Sequence, residues 1–263
     1  MSLGIVIKAP EGIVLAAESR VTLTAQAPGQ PPLHVNFDNA TKVLSFSEPD
    51  IFVGGVTYGL GAIGLRTAQS FLPEFESGRS RRRLLVRSFA QRLSAFYMQQ
   101  WGQEMPSAYQ GPSMTFVVAG YDPDEPYGSV YQFEIPTEPR PTEQNRGNFG
   151  IIWGGQREYV DRIINGFDHR VPQAAGQHLG LDGSAVNGLE NHLGQFRMHL
   201  PLLAMPLQDC VDLAIFFVRT TIEAQRLSVG IRGCGGHIDV ATITRREGLK
   251  FVQRKAIRGE HRL

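Results

Sequence analysis

Two apolar runs open the chain: Ser2-Leu-Gly-Ile-Val-Ile-Lys-Ala-Pro-Glu-Gly12, followed at once by Ile13-Val-Leu-Ala-Ala-Glu18-Ser19-Arg20. Both runs are rich in β-branched residues, and the Ala-Pro-Glu-Gly segment at residues 9–12 has the composition of a turn. The sequence therefore predicts a β-hairpin that ends in a charged pair. Because residues two apart on a strand share a face, Glu18 and Arg20 can both point at one site.

Ser2 lies at the other end of this hairpin, and it becomes the N-terminal residue of any chain from which Met1 has been removed. A small side chain at the second position permits that removal. A free α-amino group has a pKa of roughly 7.7 to 8.0, so it can take the proton of its own hydroxyl. A Lys ammonium nearby would help to keep the amine neutral, and Lys42, in a strand-like run at residues 39–46, is the candidate. Ser2 is therefore a candidate nucleophile that carries its own base.

These residues resemble the opening of the proteasome-type N-terminal nucleophile peptidases. That family has a nucleophile, an apolar strand, a Gly-containing turn, the run VVLAADSR and a Lys ahead of VxxI. The present chain has Gly12-Ile-Val-Leu-Ala-Ala-Glu-Ser-Arg20 and Lys42-Val-Leu-Ser-Phe46, and Ser2 and Glu18 are as far apart as the family's nucleophile and acid. The resemblance implies Ser2 as nucleophile, Glu18 in the acidic role, Arg20 as its neighbour and Lys42 as the catalytic Lys.

A Gly-rich segment lies at the end of a short apolar strand predicted at residues 50–55, and it extends the resemblance. In the family, a strand-to-helix junction of this kind gives the substrate backbone and an oxyanion-stabilising amide close access. The resemblance implies this role for the region of Gly54, Gly55 and Gly59, without deciding which amide is used. The apolar spacing over residues 58–72 predicts a helix directly after these glycines.

Two departures from the family's pattern lie later in the chain. Gly154 stands where the family has a supporting Ser between glycines, which implies that this hydroxyl is absent. At the end of an amphipathic helix predicted at residues 206–227, the family has Asp-x-x-Ser, whose side chains hydrogen-bond the nucleophile. Here Ser228 matches the Ser, and Gln225 replaces the Asp with an uncharged hydrogen-bonding group.

The resemblance implies one α+β domain over residues 1–263, a four-layer αββα sandwich of two antiparallel sheets between helix layers. An insertion is expected at about residues 168–204, and the Pro- and Gln-rich residues 22–39 predict a long loop near the cleft. The implied activity is that of a self-compartmentalising peptidase without cofactor or metal, a homo-oligomeric double ring acting on peptides or unfolded proteins. The residues do not specify whether an ATP-dependent unfoldase is a partner.

Composition is that of an ordinary globular chain: 263 residues, 42% hydrophobic and 19% charged, with a net charge of +1. This charge gives no reason to expect binding to nucleic acid or membrane. The two cysteines suit a reducing compartment and lie in no metal-ligand spacing. Lys8, Pro10 and Glu11 interrupt the first apolar run, so no signal peptide is expected. The expected location is the cytoplasm.

Two alternatives remain open from the sequence. Aligning Gly4-Ile-Val with the family's GIV moves the nucleophile position off the front of the chain and leaves an inactive ring-forming subunit. We prefer the ungapped register because it keeps the spacing to Glu18 and places a hydroxyl at the nucleophile position. The other alternative is a small-molecule amide hydrolase of the same nucleophile type.

Overall fold

The computed structural model describes residues 2–25, 33–78, 82–230, 232–257 and 259. The predicted opening hairpin is confirmed, since β1 (Leu3–Ala9) and β2 (Gly12–Glu18) pair antiparallel across the turn. Every residue of both strands is buried. Side chains from alternate positions of β1 enter two different cores, which explains why this strand is apolar on both faces, Lys8 excepted, instead of alternating with polar residues.

The remaining strands form two five-stranded sheets and a small hairpin, all antiparallel, with orders β10-β1-β2-β11-β12, β5-β6-β7-β8-β9 and β3-β4. They are β3 (Val21–Ala25), β4 (Leu33–Phe37), β5 (Val43–Ser45), β6 (Val53–Gly59), β7 (Met114–Gly120), β8 (Ser129–Ile135), β9 (Glu138–Gln144), β10 (Gly150–Gly155), β11 (Ile238–Thr244) and β12 (Gly248–Gln253). The chain is therefore an α+β protein.

Six α-helices are described: α1 (Leu72–Ser77), α2 (Val86–Glu104), α3 (Glu158–Ile164), α4 (Val171–Leu179), α5 (Gly183–Leu193) and α6 (Leu207–Leu227). The prediction of a helix over residues 58–72 is wrong for residues 58–67. Strand β6 continues to Gly59, and helical structure begins only with a short 3-10 turn at Ala68–Phe71. Gly59 and Gly64 have positive φ angles of 86° and 58°, which a right-handed helix does not accept.

Residues 22–39 were predicted to be a loop, and this is also corrected. Strands β3 and β4 pair from Val21 with Phe37 to Ala25 with Leu33. Residues 26–32, between the two strands in the sequence, lie outside the described residues. No helix in the described part of the chain is long and apolar enough to cross a lipid bilayer.

Three hydrophobic clusters hold the sheets and helices together. One lies between the second sheet and helices α1 and α2, and Phe89 and Phe116 are fully buried in it. Another joins the first sheet to α3 and α6 and includes Phe217. The third lies between the two sheets and includes Leu15 and Val56. Each such buried side chain contributes roughly 1.5 to 3 kcal/mol relative to exposure.

Residues 168–204, predicted as an insertion, contain α4 and α5. These helices pack on each other so closely that a Cβ added at Gly176 would lie 2.4 Å from Val186 Cγ2. Asp168 fixes the start of the segment by accepting hydrogen bonds from Arg170 at 2.6 and 2.8 Å and from Arg162 at 3.2 Å. The hydrogen bonds from Arg170 hold the pKa of the Asp168 carboxyl well below its usual range. The segment is therefore anchored at its base by an ionised carboxylate.

Candidate active site

The Glu18 carboxylate is the centre of the site and is fully buried. Its Oε1 accepts hydrogen bonds from Leu3 N at 3.3 Å and from Lys42 Nζ. Its Oε2 accepts from Arg20 N at 2.6 Å and from Gly235 N at 3.2 Å. A buried charge is tolerated only when it is paired and its lone pairs are satisfied. Four donors from three parts of the chain meet that requirement here.

Lys42 lies just before β5, and its side chain is also buried. The ammonium donates to Glu18 Oε1 and to the carbonyl of Arg20. Its backbone carbonyl accepts from Thr57 N at 3.0 Å, which ties it to β6. An ammonium has three N–H donors. The two acceptors named here leave one N–H for a group in the adjoining crevice.

Ser2 lies in that crevice, whose walls include Lys42, Tyr58 and Gly61. The Ser2 carbonyl accepts from Gln156 N at 2.7 Å. The crevice volume is about 10 Å³, which is about the space that one water molecule requires. The structure thus brings the predicted nucleophile and the predicted Lys to one narrow opening. Met1, on whose removal the free amine depends, lies outside the described residues.

The chain after β10 approaches Ser2 at its backbone. A Cβ added at Gly155 would lie 1.8 Å from the Ser2 carbonyl oxygen, and Gly155 has a φ of 86°. Only glycine permits this approach. The close contact is what places the amide of the next residue, Gln156, against Ser2.

Arg20 supports the site without entering the crevice. Its guanidinium makes a bidentate pair with Asp38, at 2.6 and 2.8 Å, and donates to the carbonyl of Arg232 at 3.1 Å. The hydrogen bonds from Arg20 lower the pKa of Asp38. The guanidinium also lies against Gly235, where an added Cβ would be 2.5 Å from Cζ. Arg20 therefore positions the loop whose amide reaches Glu18.

Gln225, near the end of α6, is buried and links two parts of the site. Its Oε1 accepts from Cys234 N at 2.8 Å, and its Nε2 donates to Gln156 Oε1 at 3.0 Å. The backbone N–H of Gln156 in turn donates to the Ser2 carbonyl. The backbone N–H of Gly235, the residue after Cys234, donates to Glu18. Burial and the charge of Glu18 raise the pKa of the Cys234 thiol, which keeps it protonated. The predicted hydrogen bonding of Gln225 is therefore present, but it reaches Ser2 only through Gln156.

Ser228 does not reach the nucleophile. Its hydroxyl is exposed and donates to the carbonyl of Gln225 at 3.4 Å, within its own helix end. The expected hydrogen bond from Ser228 to Ser2 is not seen among the described residues, and Ser228 lies just beyond the end of α6 at Leu227.

Gly54 and Gly55, expected near the oxyanion or the substrate backbone, lie in the interior of the second sheet. Both lie inside β6, which is paired on one side with β5 and on the other with β7. A Cβ at Gly54 would lie 2.4 Å from Leu249 Cδ1, so this glycine serves the packing of the two sheets. Gly59, at the end of β6, packs against the Ser113 carbonyl. Of the glycines in this segment, Gly61 lines the Ser2 crevice.

Gly154 lies in β10 opposite Gly4 of β1. The ring of Tyr58 covers both residues: a Cβ added at Gly154 would lie 2.3 Å from Tyr58 Cζ, and one at Gly4 would lie 2.6 Å from Cδ1. Burial raises the pKa of Tyr58, so its hydroxyl stays protonated. The absence of a Ser side chain at position 154 thus has a structural cause, because the Tyr58 ring occupies the space.

Sequence reasoning missed Tyr58, Gln156, Cys234 and Gly235. Three of them act through backbone groups or through contacts between distant segments, which leave no local pattern. Gly235 is part of a Gly-rich run, and this was the one signal that a close backbone approach occurs there.

In the described residues, no three His, Cys, Asp or Glu side chains are arranged to bind a metal ion. No protein-family model matches the chain, and no curated protein matches it at a significant level.

Proposed function

We propose that this protein is an N-terminal nucleophile hydrolase of the proteasome type, a peptidase whose nucleophile is Ser2 after removal of Met1. The observation that carries the proposal is the convergence of Ser2, Glu18 and Lys42. Ser2 and Lys42 line one crevice, and behind it Glu18 Oε1 joins the ammonium of Lys42 to the amide that follows Ser2. A buried ion pair is costly to maintain. Its position beside a hydroxyl favours a catalytic role.

We also propose that the fold is the four-layer αββα sandwich of that family. Support comes from the three clusters, which pack α2 on one sheet, the two sheets on each other, and α6 on the other sheet.

In the proposed reaction, the free Ser2 amine takes the proton of its own hydroxyl, and Oγ attacks a peptide carbonyl. The Lys42 charge disfavours protonation of the amine and stabilises the developing alkoxide. Because the amides of Gly54 and Gly55 lie within a sheet, we assign the oxyanion to a backbone amide near Gly61. The leaving amine takes the transferred proton, and water then hydrolyses the acyl ester.

The test is the intact mass after treatment with a peptide epoxyketone, which reacts only where a free amine and a hydroxyl belong to the same terminal residue. The wild type should gain one inhibitor mass. Ser2→Ala and Lys42→Ala should not be labelled, whereas Ser2→Thr should. Lys8→Ala is the matched control, since Lys8 is equally buried but donates to Asn145 at the other end of β1. Equal labelling rates for Lys42→Ala and Lys8→Ala would remove Lys42 from the mechanism.

The proposed assembly is a closed homo-oligomeric double ring that acts on peptides or unfolded proteins. Enclosure is what would keep such a nucleophile away from folded proteins, and cyclic symmetry gives the closed form. Light scattering coupled to gel filtration measures it directly. A monomer or dimer at micromolar concentration would remove the compartment from the proposal, even if Ser2 proved reactive.

The runner-up is an inactive ring-forming subunit. The specific observation in its favour is the Tyr58 ring, which fills the place of a supporting hydroxyl at Gly154 and narrows the Ser2 crevice. The same two experiments separate the alternatives, because a large oligomer that no epoxyketone labels would be the inactive subunit.

A further inference from the structure

The crevice beside Ser2 is closed on one side by Val21 and Gly61, which both line it. A Cβ added at Gly61 would lie 2.9 Å from Val21 Cγ1, so these two parts of the wall already touch. Val21 is buried at the start of β3, where it pairs with Phe37 of β4. Its β-branched side chain has few rotamers available. The crevice therefore narrows against a side chain that cannot easily move aside.

Hydrogen bonds fix other parts of the crevice wall. Ala68 is buried, and its carbonyl accepts from the Tyr97 hydroxyl at 2.7 Å. The N–H of Thr57 donates to the Lys42 carbonyl at 3.0 Å, which holds β6 against the chain before β5. Walls held in this way resist expansion, because close-packed interiors transmit strain and do not yield locally. The volume of about 10 Å³ therefore limits what can enter.

The Ser2 side chain faces the same space. Its carbonyl continues the pairing of β1 with β10 by accepting from Gln156 N, so the alternation of β1 extends to Ser2. Ser2 thus shares a face with Gly4 and Val6, and Val6 is buried between the two sheets. Tyr58, which lines the crevice, packs on Gly4 from that side. A carbonyl attacked by Ser2 Oγ lies at the crevice, and the side chain on its acyl side stays there until water releases it.

We propose that this protein cleaves peptide bonds that follow a glycine or an alanine, and that Val21 is the residue that sets this limit. The inference rests on the proposed function and names its substrate class. The crevice has room for about one water molecule, and a methyl group is of similar size. Branched and aromatic side chains are several times larger. Since even one methylene alters the fit to an apolar pocket, these larger side chains are excluded from productive binding.

Peptide epoxyketones that differ only at the residue carrying the reactive ketone test the size limit. The measurement is the rate at which the wild type gains inhibitor mass with glycine, alanine, leucine or phenylalanine at that position. The glycine and alanine probes should react at least about tenfold faster than the leucine and phenylalanine probes. Equal rates for alanine and leucine would overturn this inference and leave Ser2 as the nucleophile. No labelling by any of the probes would overturn the proposed function and this inference with it.

Val21→Ala tests which residue sets the limit. The substitution removes both γ carbons from the wall, so the leucine probe should react at least about tenfold faster and the alanine probe should stay within about threefold of its wild-type rate. Val130→Ala is the matched control, because Val130 is an equally buried strand valine that lies between the two sheets and does not line the crevice. Its preference should remain that of the wild type. An unchanged ratio of leucine to alanine rates in Val21→Ala protein that circular dichroism shows to be folded would overturn the role of Val21. The wild-type comparison tests the size limit even if this variant does not fold.

Discussion

Replacing Gln225 with Leu tests whether the two glutamines hold the site together. Leu is similar in size but offers neither acceptor nor donor. The buried Cys234 N–H would lose its partner, which costs roughly 1 to 3 kcal/mol. Gln156 is only half-buried and can turn to water, so the loss of its bond adds about 0.5 to 1.5 kcal/mol. We expect a total loss of about 1.5 to 4.5 kcal/mol in the free energy of unfolding.

Urea unfolding measures this loss, and deuterium exchange in a peptide covering residues 232–237 locates it. Exchange there should accelerate because the loop is released from α6. Epoxyketone labelling should slow, since Gly235 N would no longer be held on Glu18. Gln208→Leu is the control: Gln208 is an exposed residue of the same helix, and its replacement should cost less than about 0.5 kcal/mol. A similar small cost for Gln225→Leu, with unchanged exchange, would refute the reasoning.

Gln225→Glu separates the two hydrogen bonds of this residue by pH. The new carboxylate can still accept from Cys234 N, but when ionised it faces the Gln156 oxygen, acceptor against acceptor. Burial raises the pKa of such a carboxyl in the folded state above the unfolded value of about 4.3. The destabilisation should therefore be full at high pH and shrink as the pH falls through the folded-state pKa, because the protonated acid can donate to Gln156. A pH-independent loss would contradict this assignment.

Three further predictions follow from other contacts. Glu18→Gln leaves the buried Lys42 ammonium without its counter-charge, and urea unfolding should show a loss of about 3 to 5 kcal/mol. Gly154→Ser forces its Cβ into the Tyr58 ring and should cost about 1 to 3 kcal/mol, less in a Tyr58→Ala background. Asp168→Asn should accelerate deuterium exchange in residues 171–193 at pH 7. Because the folded pKa of Asp168 is depressed, its contribution is present above about pH 4 and lost below it, so the two proteins should converge in acid.

The sequence was sufficient for the parts of the site that lie on one strand pair. The spacing from Ser2 to Glu18 and the apolar run between them predict the hairpin, and the hairpin brings both residues to one end of the first sheet. The strand-like run after Lys42 likewise predicts β5. The sequence could not predict the packing role of each glycine, because a glycine can be required for several different structural reasons. Gly54 is required by a leucine from β12 and Gly154 by a tyrosine from β6, and no local pattern distinguishes these packing contacts from a functional backbone approach.

Gln225 stands where the resembled family has an Asp, and it is the difference from the family's pattern that the structure explains best. The site already contains one buried carboxylate, Glu18, and its charge is balanced by Lys42 alone, because Arg20 is committed to Asp38. A second carboxylate at position 225 would lie close to Glu18, on the far side of the 234–235 peptide, with no cation left to pair with it. An amide satisfies the same Cys234 N–H without adding charge, and its second function ties down Gln156. The uncharged residue thus preserves the support of the loop and adds no second charge beside the Glu18–Lys42 pair.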